Sequence, residues 1–235
     1  MDRLTRKELK SDRFALEVQH SVEYVSEHRQ QLVRWGGVVA ALVVVVLAIF
    51  LYRGREHAAR QEDLRAAQRV QNASIGPSGS DQILTFPSSQ ERSKAMLKAF
   101  GDIITKYSGS DEAVIAQYTL GVNAADDGNA AEAEKRFKAA VDSGKAPYDS
   151  LAKLALAQIY ASKGKLADGK QLIQSVIDHP SVLVSKEAGT IAMAQLIAKS
   201  DPAGARKLLE PLRGNPRTNV SQAALNALSE LSQQK

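Results

Sequence analysis

The residues able to do chemistry are few and scattered. His20, His28, His57 and His179 are the only imidazoles, and none stands in an HExxH or other metal-ligand spacing. The chain has no cysteine, which excludes a disulfide framework, a CxxC redox pair, a lipid-modified cysteine and a thiolate zinc site. The nearest approach to a phosphate loop, Gly76-Pro77-Ser78-Gly79, has no lysine and follows no strand, so it reads as linker. GxGxxG and GxSxG are both missing. Asp111-Glu112 falls at a helix start and Asp126-Asp127 at a turn, where negative charge suits a helix dipole or a solvated turn. The expectation is a protein without catalytic, cofactor-binding or metal-binding residues, which takes no small-molecule substrate and is not an enzyme.

The elements that carry these residues are set by two patterns, one of hydropathy and one of repetition. Residues 35–52 hold 18 positions without charge between Arg34 and Arg53. As a helix rising about 1.5 Å per residue they span about 27 Å, close to the ~30 Å hydrocarbon core of a bilayer. Eleven Val, Leu, Ile and Phe residues lie between Val38 and Leu51 and favour insertion by about 3–7 kcal/mol. Trp35 and Tyr52 flank the run, where amphipathic rings favour the headgroup zone. The 34 preceding residues are long for a leader, and no small-x-small cleavage site follows. The expectation is one uncleaved transmembrane helix.

Charge leaves the orientation open. Arg29 and Arg34 are the near basic residues on one side, against Arg53, Arg55, Arg60, Arg65 and Arg69 on the other. That local count favours a cytoplasmic C-terminal domain. The whole tail, with Arg3, Arg6, Lys7, Lys10 and Arg13 added, favours a cytoplasmic tail. Residues 91–235 carry 19 basic and 16 acidic side chains without interleaved aromatics, a weak pattern for nucleic acid, so none is expected as a partner.

Residues 1–34 form a tail whose 11–34 stretch reads as an amphipathic helix, with Phe14, Val18, Val22, Val25 and Leu32 at helical spacing. It lies on a surface, meets a partner helix, or runs on into the span. Residues 53–90 read as a helical extension into water, with Leu64, Ala67 and Val70 on one side, followed by a Ser/Gly/Pro linker from 74 to 90. Residues 91–235 read as helix throughout.

Within 91–235 the chain repeats itself at a spacing of 36. Leu120-Gly121, Gly128, Ala133, Phe137 and Ala140 align with Leu156-Ala157, Gly164, Gly169, Ile173 and Val176, and then with Ala192-Met193, Ala205, Leu209 and Leu212. Pro147, Pro180 and Pro216 follow the three units. Each unit is a helix, a turn and a second helix. Asn129 with Glu132 suggests a capping box, Gly164 a helix end, and Asp201-Pro202 a helix start. Ala133, Gly169 and Ala205 allow close helix approach, Phe137, Ile173 and Leu209 fill between units, and Pro211 should shorten the last helix. Residues 91–107 read as the second helix of an earlier unit and 218–233 as a capping helix.

This spacing resembles the tetratricopeptide repeat. Unit one matches its consensus at Leu120, Gly121, Gly128, Ala133, Phe137 and Ala140, unit two at Leu156, Tyr160 and Gly164, and unit three at Ala205. The expected fold is therefore all-α, an N-terminal single transmembrane helix followed by a tetratricopeptide-like helical-hairpin solenoid. The layout of tail, span, linker and repeats also resembles the ancillary subunit family of the Sec translocon. That resemblance implies a bacterial inner (cytoplasmic) membrane protein with a periplasmic C-terminal domain, contacting the translocon and periplasmic chaperones or clients.

By position in the resembled repeat, Ile115, Tyr118, Val122, Leu151, Leu154, Gln158, Glu187, Thr190 and Ile197 are expected to face a concave partner-binding surface, with Tyr118 and Leu154 as its main grip. The capping helix or residues 53–73 are alternative covers for it. The expected function is a membrane-anchored protein–protein interaction scaffold, an accessory factor at the translocon. The alternatives are a cytoplasm-facing, membrane-tethered adaptor or regulator, and a subunit of a membrane enzyme complex.

Overall fold

Serine sets three of the helix starts. Ser88, Ser110 and Ser185 are each in an extended conformation, and each side-chain oxygen accepts the amide N–H three residues on, at 3.2, 3.1 and 3.2 Å. Asp201 does the same for Gly204 at 2.8 Å, with Pro202 at the first helical position. Asn129 accepts from Glu132 N–H at 3.1 Å. The reciprocal half of the expected capping box is missing. The Glu132 carboxylate turns instead to Arg136, 2.6 Å away, and the Asn129 N–H goes to the Ala124 carbonyl.

The structure is a computed structural model that describes residues 29–76, 84–145 and 147–233. Most of the expected amphipathic tail helix lies outside the described residues. The chain divides into two compact units, Met1–Ala58 and Ala59–Lys235. The described part of the first belongs to helix α1 (Arg29–Gln71), whose apolar side chains from Trp35 to Tyr52 are exposed. That helix is long and apolar enough to cross a membrane.

In the second unit the end of α1 is followed by α2 (Ser89–Lys106), α3 (Asp111–Asp126), α4 (Ala130–Asp142), α5 (Tyr148–Ser162), α6 (Leu166–Asp178), α7 (Lys186–Ile197), α8 (Pro202–Leu209) and α9 (Thr218–Gln233). Successive helices pack in sequence order, and each unit's first helix also meets the first helix of the next, α3 on α5 and α5 on α7. This is the helical-hairpin solenoid that the repeat requires. Pro211 ends α8 early, in a 3₁₀ turn at Glu210–Leu212. The linker, expected to be plain loop, closes on itself instead. Strands β1 (Ser74–Ile75) and β2 (Thr85–Phe86) pair in parallel, and Arg92 donates to the Ala73 carbonyl at 3.2 Å.

Three core clusters follow one another along the unit. The first joins Leu64 and Ala67 of α1 to Met96, Phe100 and Ile103 of α2 and Ala116 and Leu120 of α3. The second is built on Ala133, Phe137 and Leu156, and the third on Ile173, Leu209 and Ala224. The apolar side of residues 59–71 therefore faces protein and not water, and the second unit starts at Ala59, upstream of residue 91. The small residues act as the repeat pattern implies. A Cβ added at Gly169 would stand 2.8 Å from the Ala157 carbonyl oxygen, and one at Gly121 2.7 Å from the Phe137 ring. Gly164 closes α5 at φ +77°, a conformation that costs glycine little.

Candidate functional site

The face of the solenoid made by the first helices of successive units is nearly free of charge. Ile115, Tyr118 and Val122 come from α3, Leu151, Leu154 and Gln158 from α5, and Glu187 and Thr190 from α7. All but Gln158, which is exposed, are half-buried. The helices place them there because the opposite side of each is committed to core, with Ala116 and Leu120 on α3 and Ala152 and Leu156 on α5.

Five of the nine differ from the expectation of an open grip, among them Val122, which packs against the second cluster, and Leu154, which packs against the third. Ile197 is 7 % exposed and packed in the third cluster with Ala194, Leu209 and Ala224, because α7 meets both α8 and α9 and its last turn faces them. It is not available to a partner. Ile115 packs against the first cluster, which the end of α1 completes. The Tyr118 ring lies 5.8 Å from Phe137 and 6.1 Å from Tyr148, in tilted contacts. Burial, and then Tyr148, push its hydroxyl pKa up. Tyr118 is thus a strut between α3, α4 and α5 as well as part of the face. Leu151, Gln158 and Thr190 belong to none of the core clusters.

Electrostatics along this face are local. Glu187 has its carboxyl held below the usual range by its own backbone N–H and the Ser185 hydroxyl, and further by Arg217, 3.6 Å away. The Thr190 hydroxyl donates to the Lys186 carbonyl at 2.9 Å. Elsewhere Lys163 pairs with Glu134 and lowers the Glu134 pKa. Among the described residues no three His, Cys, Asp or Glu side chains are grouped to hold a metal.

The seam between the end of α1 and the repeats was only half legible in the sequence. Leu64 and Ala67 stand out by periodicity, but the polar contacts do not, since their partners are 43 to 51 residues away. Glu112, almost fully buried, accepts from Gln61 at 3.1 Å and lies 3.7 Å from Arg60. Asp63 accepts from Tyr107 at 2.7 Å and Lys106 at 2.9 Å.

The stacked hairpins define a helical repeat fold of the kind that works by surface contact. A family model described as a tetratricopeptide repeat-like domain matches residues 32–214. The match covers well over half of the chain, which belongs to this family. No curated protein and no solved structure matches it.

Proposed function

We propose that this chain is a single-span, membrane-anchored protein–protein interaction scaffold that acts as an accessory factor at the Sec translocon of the bacterial inner membrane. Its repeat domain, on this reading, lies in the periplasm and links the translocon to chaperones or clients there. The observation that carries the reading is the stacked repeat face, on which Leu151, Gln158 and Thr190 belong to no core cluster, in a chain whose α1 is long and apolar enough to anchor it. Repeat domains of this kind work by complementarity. The layout of span and repeats, which resembles the translocon's ancillary subunit family, supports the partner.

The test is in-membrane crosslinking followed by mass spectrometry, comparing wild type with a Leu151→Arg, Thr190→Arg variant. Neither residue belongs to a core cluster, so the helices should stay folded. Capture of translocon or chaperone peptides by wild type and their loss in the variant is the expected result. Equal capture by both sinks the surface, and absence of those peptides in both sinks the partner.

A second reading rests on the arginines Arg53 to Arg69, whose local excess favours a cytoplasmic repeat domain. It keeps the scaffold and makes it a cytoplasm-facing adaptor or regulator. C-terminal fusions to a phosphatase that needs the periplasm and a fluorescent protein that needs the cytoplasm separate the two.

A further inference from the structure

The chain turns sharply between α6 and α7, and what it presents there is apolar. Val182 is 92 % exposed and Leu183 47 %. The turn that carries them is closed by two hydrogen bonds, from the Ser181 N–H to the Val184 carbonyl at 2.9 Å and from the Val184 N–H to the Ser181 hydroxyl oxygen at 3.2 Å. Val184 is buried and anchors the turn, and Ser185 caps α7 directly after it. One of three consecutive aliphatic side chains serves the fold, and two are left in solvent. The corresponding loops of the other hairpins are built differently. Ser108-Gly109-Ser110, Ser143-Gly144-Lys145 and Gly214-Asn215-Pro216 are polar, the ordinary chemistry of a turn.

This turn lies on the edge at which the chain enters the repeat unit. Asp63, near the start of the unit, meets Lys106 and Tyr107 at the end of α2, and Gln61 meets Glu112 at the start of α3. The unit's first residues therefore lie beside the loop between α2 and α3. Because the helices alternate in direction, the loops after α4, α6 and α8 fall on that same edge. Lys145 reaching Asp111 at 3.2 Å and Arg217 reaching Glu187 at 3.6 Å join neighbouring parts of it. Ala59 stands seven residues after Tyr52, the end of the uncharged run, a length of chain that reaches at most about 25 Å. Most acids of this edge sit against cations, Asp63 with Lys106, Asp111 with Lys145, Glu187 with Arg217 and Glu210 with Arg213. Asp178 accepts from Gln174 at 2.9 Å, and Asp142 is exposed at the end of α4. The opposite edge lies beyond the 16 residues of α3, a rise of about 24 Å, and carries Asp126 and Asp127, both exposed.

We infer that Val182 and Leu183 are a membrane contact, entering the interfacial layer of the bilayer that α1 crosses and giving the repeat unit a second attachment to it. A lipid surface takes aliphatic side chains without a matched pocket, which suits a tip of two residues on a narrow turn. Lys186, exposed at the start of α7, adds a cation beside the tip for anionic headgroups. Two such side chains hold a free protein on lipid only weakly. Here the tether makes the contact intramolecular, so a weak preference is enough to populate it. Attachment at two points along one edge stops the repeat unit from swinging about its tether. The inference rests on the anchor in the proposed function and not on its partner.

The absence of cysteine allows a single introduced cysteine to carry a single label. His179→Cys, exposed beside the turn, leaves the tip intact, and Asp126→Cys places the label on the opposite edge. Each full chain is labelled with an environment-sensitive fluorophore and reconstituted into vesicles of phosphatidylcholine and phosphatidylglycerol that contain a doxyl-labelled lipid quencher. The label at 179 should be blue-shifted and quenched by the lipid, and the label at 126 should be neither. Val182→Ser with Leu183→Ser should abolish the quenching at 179 with unchanged helicity, since neither residue belongs to a core cluster. Equal quenching at 179 and 126, no quenching at 179, or quenching that survives the double serine variant overturns the inference. A label at 179 that is shielded in native membranes and wet in the pure lipid vesicles also overturns it, and makes the occupant a protein. Flotation of the same vesicles checks the anchor by itself. A chain that floats with a wet label at 179 keeps the anchor and loses the contact, and a chain that does not float removes both. Crosslinked translocon or chaperone peptides retained by the double serine variant keep the scaffold reading apart from either result.

Discussion

Gly169 on α6 is held against the backbone of α5, and an added methyl would sit 2.8 Å from the Ala157 oxygen and 3.3 Å from Leu196. The Leu196 side chain can move, but a helix backbone cannot. Gly169→Ala should therefore cost about 1–3 kcal/mol through overpacking. Gly101→Ala is the contrast, since nothing stands within 4 Å of its added Cβ on α2. It should gain about 0.5–1 kcal/mol from helix propensity. Thermal unfolding followed by circular dichroism checks both, and equal midpoints for the two variants would refute the proposed helix contact. A second residue-scale test concerns Asp63. Hydrogen bonds from Lys106 and then Tyr107 hold its carboxyl below the ordinary value, while Asp63 holds the Lys106 ammonium above its own. The carboxylate's contribution is complete above its unfolded pKa near ~3.9 and fades as pH falls through the lower folded value. The ammonium's contribution is complete below its unfolded pKa near ~10.4 and fades as pH rises through the higher folded value. The stability advantage of wild type over Asp63→Asn should thus be flat from about pH 5 to about pH 9 and shrink steadily as pH falls below about 4. A difference in unfolding midpoint that does not shrink at all below about pH 4 assigns it to something other than ionisation.

At the scale of elements, residues 59–71 stand where the first helix of an earlier hairpin would, with α2 as the second. Leu64 is 7 % exposed against Phe100, Ile103 and Leu120. Leu64→Ala should cost about 2–5 kcal/mol, the usual range for an emptied core leucine site. Leu97→Ala, on the exposed side of α2, should cost far less. Denaturant titration of the two variants decides whether α1 contributes to the folded repeats. The degenerate hairpin shows why some of the fold was legible and some was not. The 36-residue spacing exposed three hairpins because small residues recur where helices touch, and Phe137, Ile173 and Leu209 are all fully buried as that pattern requires. The earlier hairpin is split by the linker, which breaks the 36-residue spacing, so only its second helix is legible as part of a repeat. Repeat position alone marks the face residues, and the place of α9 at the end of the array marks it as a cap. That α9 would bury Ile197 depends on how it packs against α7 and α8, a long-range contact without local periodicity.

At the scale of the whole repeat unit, each helix packs almost wholly on its sequence neighbours, so stability should be distributed as in a one-dimensional array. The middle hairpins have neighbours on both sides, with Phe137, Leu156 and Ile173 almost entirely shielded from solvent. Among the described residues helix α9 packs chiefly on α7, α8 and the 3₁₀ turn, and its Leu225 is 41 % exposed. Local opening should therefore be cheapest at α9 and dearest in α3 to α6. Native-state hydrogen exchange of the full chain should give amides of α9 the lowest protection among α3 to α9. Truncating Leu231, buried in the third cluster, to alanine should lower protection further in α9 and α8 and leave α3 and α4 unchanged. Gly169→Ala sits between neighbours on both sides and should lower protection in α5, α6 and α7 together. Uniform loss of protection across all helices in the Leu231→Ala variant would mean that the unit opens as a single cooperative block. In that case the end of the repeat face could not loosen to admit a partner segment while its middle stays folded.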